Sequence, residues 1–260
     1  MMEENLAIET ESLTRFFGAQ CAVNQINLRV ERGTFYGFLG PNGAGKSTTI
    51  KMLTGLLQPS GGEIRILGLN PRDAKSAMAI KRRIGVVPED LALFENLTAS
   101  EYLTFVGRMF LLDRQTIKQR AGELLAAMAL DKEEKKLALE YSHGMQKKLA
   151  LAAALLPNPD LLFLDEPFEG VDAVTSRVMR DILANFVARG STVFLTSHVL
   201  EIVEKLCTHV GIISGGELVE QDSLAKLSQG HSLEQLFLQK VGSAADGASR
   251  LSWLEEETTP

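Results

Sequence analysis

Apolar and polar positions change rhythm along the 260-residue chain, and each change marks an element. Leu6 to Phe16 and Cys21 to Val30 read as two strands about a turn at Gly18, the second carrying Val23, Ile26, Leu28 and Val30 among polar neighbours. The apolar run Phe35 to Leu39 feeds through Gly40 to Thr48 into Thr49 to Leu53, which is strand, glycine-rich turn, helix. Pro59-Ser60-Gly61-Gly62 turns the chain into a short strand, Glu63 to Leu67, placed beside the first two in an antiparallel edge sheet. Asn70-Pro71 is expected to open a helix with proline at its first position. Ile84 to Val87 is a short buried strand. Thr98 to Glu101 forms a capping box for an amphipathic helix through about Leu112, and Asp113 can cap another through Ala129. Tyr141 to Gln146 introduces a helix whose run Leu149 to Leu156 is almost wholly apolar until Pro157-Asn158-Pro159 stops it. Next come the apolar strand Leu161 to Leu164, ending in Asp165-Glu166, a helix from Asp172 to about Ala188, and a strand Thr192 to Leu195 followed by Thr196-Ser197-His198. The strand His209 to Ile213 turns at Gly215-Gly216 into Glu217 to Glu220, Asp222 is expected to cap a short helix, and Ser232 to Val241 shows helical spacing.

Strands alternating with helices imply an α/β fold, a mostly parallel sheet with flanking helices. The expected organisation is one unit over 1–230. It holds an N-terminal antiparallel β subdomain, about 6–36 and 62–68, and a helical insertion, about 91–156. Residues 231–260 then supply a helix and a tail rich in Gly, Ser, Ala and acidic residues from Gly242, expected to be mobile despite Trp253.

At 45% apolar the chain can bury a full core, and a net charge of −6 argues against a general nucleic-acid binder. Cys21 and Cys207 lack metal-ligand spacing and read as reduced thiols, which suits the cytosol. No apolar stretch follows Met1 to Glu4, and no run approaches the roughly 18 apolar residues that span a bilayer. Any membrane role is therefore expected to go through a partner. Lys132 to Lys136 reads as a solvated connector.

The chemistry begins in Gly40-Pro41-Asn42-Gly43-Ala44-Gly45-Lys46-Ser47-Thr48. Glycines let the backbone turn tightly, so that successive amide N–H groups converge on phosphate oxygens at the positive end of a helix. Lys46 then reaches the outer phosphates and the Ser47 hydroxyl can ligate Mg²⁺. Phosphoryl transfer to water also needs a metal holder and a group that positions the water. Asp165, at a strand end, suits the first role and Glu166 the second, as general base. Pro88-Glu89-Asp90 forms another loop at a strand's carboxyl end, where open α/β sheets place ligands. One ring of Phe16-Phe17 could stack on a base, or both could be core.

On these residues the chain resembles an ATP-binding subunit of an ABC transporter over essentially Leu6 to Leu238, with all the family's motifs in their usual order. Gly40 to Ser47 resembles the Walker A loop, Leu161 to Asp165 the Walker B strand and Glu166 the catalytic carboxylate. Ser142-His143-Gly144-Met145-Gln146 resembles the signature motif, Glu169 to Asp172 the D-loop, His198 the switch histidine and Phe17 the adenine-stacking aromatic. Glu89 takes the place of the Q-loop glutamine. The resemblance implies a P-loop NTPase core, ATP and Mg²⁺ as ligands, and a sandwich of two such chains, alike or different. In that sandwich Ser142, His143 and Gly144 of one chain face the phosphate held by the other, and His198 donates to it. It further implies a separate transmembrane permease as partner and a place on the cytoplasmic face of the membrane, reached only through that permease. The helical insertion and the Pro88 to Leu97 loop would grip the permease. Leu233 to Phe237 resembles an ending seen in exporter subunits.

Two departures stand out. Glu89 puts a charged oxygen where the family has a neutral amide, and an altered metal or pH dependence is expected. His143 replaces a glycine that allows close approach and positive φ; tolerance by the backbone is expected. Competing classes are a soluble ATPase of the same family acting on ribosomes or DNA, and a P-loop GTPase or small-molecule kinase. The first usually has two such domains or a long coiled coil, and the second lacks a signature helix; no Asn-Lys-x-Asp motif occurs.

Overall fold

A computed structural model describes residues 5–133, 135–228 and 232–242. Two sheets carry the fold. The first is antiparallel: β1 (Leu6–Phe17) lies between β2 (Gln20–Ile26) and β3 (Arg29–Glu31), with β5 (Gly61–Ile66) also paired to β1. The second has the order β10-β9-β4-β8-β7-β6. Its β4 (Phe35–Leu39), β6 (Ile84–Val87), β7 (Leu161–Leu164), β8 (Thr192–Ser197) and β9 (His209–Ser214) run parallel, and β10 (Glu217–Ser223) returns antiparallel. An α/β fold with a P-loop NTPase arrangement is thus observed.

The pleat explains how one sheet serves two cores, because successive side chains on a strand point to opposite faces. Tyr36, Phe38, Leu161, Phe163 and Phe194 enter a cluster shared with the antiparallel sheet and with α1 (Lys46–Leu53). Phe35, Leu39, Leu162, Leu164, Val193 and Leu195 enter the other cluster, under the helices. Those helices are α3 (Ala99–Met109), α4 (Arg114–Ala127), α5 (His143–Leu155), α6 (Ala173–Ala188), α7 (Leu200–Leu206) and α9 (Leu233–Val241). Gly85 lets β6 approach α5: a Cβ there would lie 2.5 Å from the Ala154 carbonyl oxygen.

Caps follow the sequence closely at Thr98–Glu101, Asp113 and Asp172. Pro71 does not open a helix. The Asn70 side chain accepts from Arg72 N at 2.9 Å and turns the chain locally, and α2 (Ala74–Lys81) begins only after Asp73, whose carboxylate accepts from Ser76 N at 2.8 Å. Asp222 is not a helix cap either. The β10–β9 ladder runs through Asp222 and Ser223, so α8 (Leu224–Leu227) starts one residue later than expected. Cys21 to Val30 is two strands, with Gln25 at φ 48° just before the break. Helix α7 had no counterpart among the expected elements. The tail beyond Gly242, with Trp253, lies outside the described residues.

Because β4, β6, β7 and β8 are parallel, their carboxyl ends share one rim. That rim collects the glycine-rich turn, Glu89, Asp165-Glu166 and His198.

Candidate functional site

Helix α1 starts without a side-chain cap. Its N-cap Gly45 sits at φ 108°, where a Cβ would meet the Ala22 carbonyl oxygen at 2.5 Å, so glycine is required there both by conformation and by contact. No side chain caps the first amides of α1. A cleft of about 370 Å³ opens before them, bordered by Phe17, Asn42, Gly43, Gly45, Lys46, Ser47, Thr48, Glu89, Glu166 and His198, with Gln20, Ala22 and Glu169. Gly40, Pro41 and Ala44 complete the turn behind this lining. Phe16 and Phe17 are 47% and 46% exposed, so neither is core, and the Arg15 guanidinium lies 4.6 Å over the Phe17 ring.

Two clusters meet in the cleft. The first is all oxygen. Ser47 Oγ lies 3.2 Å from Asp165 Oδ1 and 3.3 Å from Glu89 Oε2, and Thr196 Oγ1 donates to Asp165 Oδ1 at 2.6 Å. One hydroxyl proton at Ser47 cannot satisfy two carboxylates at once, so a cation is the natural neutraliser of the pair. The second centres on Glu166. Lys46 Nζ donates to the carbonyls of Gly40 at 2.8 Å and Pro41 at 3.3 Å and lies 3.3 Å from Glu166 Oε1. His198 Nδ1 lies 3.0 Å from Glu166 Oε2. Lys46, Asp165 and Glu166 are buried, whereas Glu89 and His198 are exposed. Glu166 Oε1 is a buried acceptor with no hydrogen bond, only the ion pair to Lys46.

Glu166 is itself strained, at φ 46°. Its N–H donates to Thr196 Oγ1 at 2.9 Å, while Asp165 N donates to Val87 O at 2.9 Å. Thr196 therefore contacts both acidic residues, a role not singled out from sequence. A hydroxyl at the end of β8, beside the strand ending in the carboxylates, was the available signal.

Ser142, His143 and Gly144 do not line this cleft. They form the start of α5, with Ser142 and His143 exposed and Ser142 Oγ accepting from Met145 N at 3.3 Å. His143 is the first helical residue and neither it nor Gly144 has positive φ, so this position makes no conformational demand for glycine.

The ABC transporter family model matches residues 23–169. The chain is 41% identical over 215 residues to the bacitracin transport ATP-binding protein BcrA of Bacillus licheniformis, covering 82% of this chain and 69% of that protein. It is 36% identical over 248 residues to the daunorubicin/doxorubicin resistance ATP-binding protein DrrA of Streptomyces peucetius, covering 95% and 74%. Its fold matches a solved ATP-binding subunit of an ABC transporter with a TM-score of 0.84 at 28% identity, over 90% of this chain and 98% of that one.

Proposed function

Because the chain belongs to the ABC transporter family, as an ATP-binding subunit of the exporter type, we propose that the two clusters bind and hydrolyse MgATP between two such chains and so drive a separate permease. The observation that carries this is Glu166, a buried carboxylate with one oxygen held by His198 and the other without a hydrogen bond, 3.3 Å from the Walker lysine.

The α1 amides and Lys46 would hold the outer phosphates. Among the described residues no group of three or more His, Cys, Asp or Glu forms a metal site alone. Ser47 Oγ, Asp165 Oδ1 and Glu89 Oε2, hard oxygen donors, would instead hold Mg²⁺ together with phosphate oxygens. When bound, Mg²⁺ supplies positive charge against the phosphates. Glu166 Oε1 takes a proton from the attacking water. His198, with Nδ1 donating to Oε2, would donate from Nε2 toward the terminal phosphate in its imidazolium form, in which both ring nitrogens are donors. Phe17 would stack on the adenine, with Arg15 behind the ring.

Ser142, His143 and Gly144, at an exposed helix start, would face the phosphate of the second chain. The permease would seat on an apolar groove of about 400 Å³ bordered by Pro88, Leu91, Leu93, Tyr102, Val106 and Phe110. No described helix is long and apolar enough to cross a membrane, so the subunit would reach the cytoplasmic face of the membrane through that permease. Relatives named for bacitracin and for daunorubicin/doxorubicin favour a drug-like cargo.

Glu166→Gln tests the assignment. Turnover is expected to fall about 10² to 10⁴-fold, roughly 3 to 5 kcal/mol of barrier, with ATP binding kept. Near-normal hydrolysis would remove Glu166 from the role.

A further inference from the structure

Helix α5 does more than present its first residues. Residues four apart on a helix share a face, and that face of α5 lies along the turn that follows β7. A Cβ at Gly170 would lie 3.3 Å from His143 Cδ2, and one at Gly144 would lie 3.6 Å from both Asp172 Oδ2 and Thr175 Oγ1. One turn on, the ammonium of Lys147 is buried, and its Nζ donates to the carbonyl oxygens of Glu166 at 2.8 Å and Glu169 at 2.7 Å. These two bonds clamp both ends of the Glu166 to Glu169 turn. The residue at its start is the one held at φ 46°, a backbone that an unbranched L side chain adopts only under constraint. Burial pulls the Lys147 ammonium below the usual lysine range, opposed by the carboxylates of Glu169, Glu166 and Glu89. A group buried at that cost is a poor choice for simple packing.

We propose that Lys147 is a positioning residue that ties the helix facing the second chain's nucleotide to this chain's own base, so that seating of α5 sets the Glu166 backbone. The inference rests on the function proposed above and adds a link between the two sites. When α5 shifts toward the second chain, the Glu166 carbonyl moves with the Lys147 ammonium, and the carboxylate between Lys46 and His198 is reoriented.

The test is a double-mutant cycle on purified protein, with kcat, KM for ATP and melting temperature measured for each variant. Lys147→Met is expected to lower kcat at least tenfold, with KM changed less than threefold and a melting temperature close to the native one. Lys147→Arg, which keeps a cation and several donors, is expected to restore at least a third of native turnover. In the Glu166→Gln background, Lys147→Met is expected to cost nothing further, because its effect passes through Glu166. If Lys147→Met does not fold, Lys147→Gln takes its place, with a threefold or greater loss of kcat expected. Native kcat in the Lys147 variant, a loss shared by KM and melting temperature, or full additivity in the double variant would each overturn the link. The Glu166→Gln arm by itself reports on the base assignment, so a failure there is distinguishable from a failure of Lys147.

Discussion

Helices α1 and α5 both begin where a phosphate is expected, yet their first turns are finished in opposite ways. At α1 the cap is a left-handed glycine with no side chain, and Lys46, Asp165 and Glu166 around it are buried and paired. At α5 the cap is Ser142, whose hydroxyl already accepts from Met145 N, and its surroundings are exposed. A helix start with free amides in a walled cleft is organised to bind on its own. A self-capped, exposed start is organised to bind only when another surface closes over it. Under the function proposed above, the difference separates the two halves of a shared site.

The contrast breaks or sharpens under substitution. Gly45→Ala should have the largest effect, because it forces a Cβ against Ala22 O at φ 108°. The isolated chain is expected to lose ATP affinity by about 100-fold or more and stability by about 1 to 3 kcal/mol. Calorimetric titration that returned native affinity would end the claim that α1 is preset. Ser142→Ala comes next: the lost cap should cost about 1 kcal/mol by denaturant melts. Steady-state turnover should fall about tenfold while ATP binding to the single chain stays unchanged, and weakened single-chain binding would erase the distinction between the helices. His143→Gly should change turnover less than threefold, since the position is ordinary helix; a gain above about tenfold, or about 1.4 kcal/mol, would mean the native α5 start is impaired.

The smallest effect concerns pH. Hydrogen bonds from the Thr175 backbone and side chain, with Val174 N, hold the Asp172 carboxyl below its usual range at the start of α6. A lowered folded value means the charged cap contributes stability above the unfolded value of about 3.9 and loses it as pH falls through the folded one. Asp172→Asn should therefore melt below the native chain at neutral pH and converge with it in acid; a gap independent of pH would assign the cap to shape alone.

Much of this was legible because local rules and global packing agree. The run Phe35 to Leu53 and the capping box at Thr98–Glu101 needed only short-range patterns. Asn70-Pro71 and Asp222 misled because two local signals competed there, a side-chain turn against proline in one case and a strand ladder against a cap in the other. The carboxylates, the glycine-rich turn and His198 were legible as motifs, but Thr196 and Lys147 were not. Their partners lie 31 and 19 residues away, and only the adjacency of β7 to β8 and the docking of α5 bring them into contact.

The backbone at Glu166 carries a further consequence. A non-glycine residue held in the left-handed region costs about 1 to 2 kcal/mol. Asparagine, which visits that region readily, would relax the turn while removing the proposed base. Selection for heat tolerance alone would drift this chain toward a sturdier protein without its proposed base, so that the position assigned the chemistry is also one the fold holds under strain.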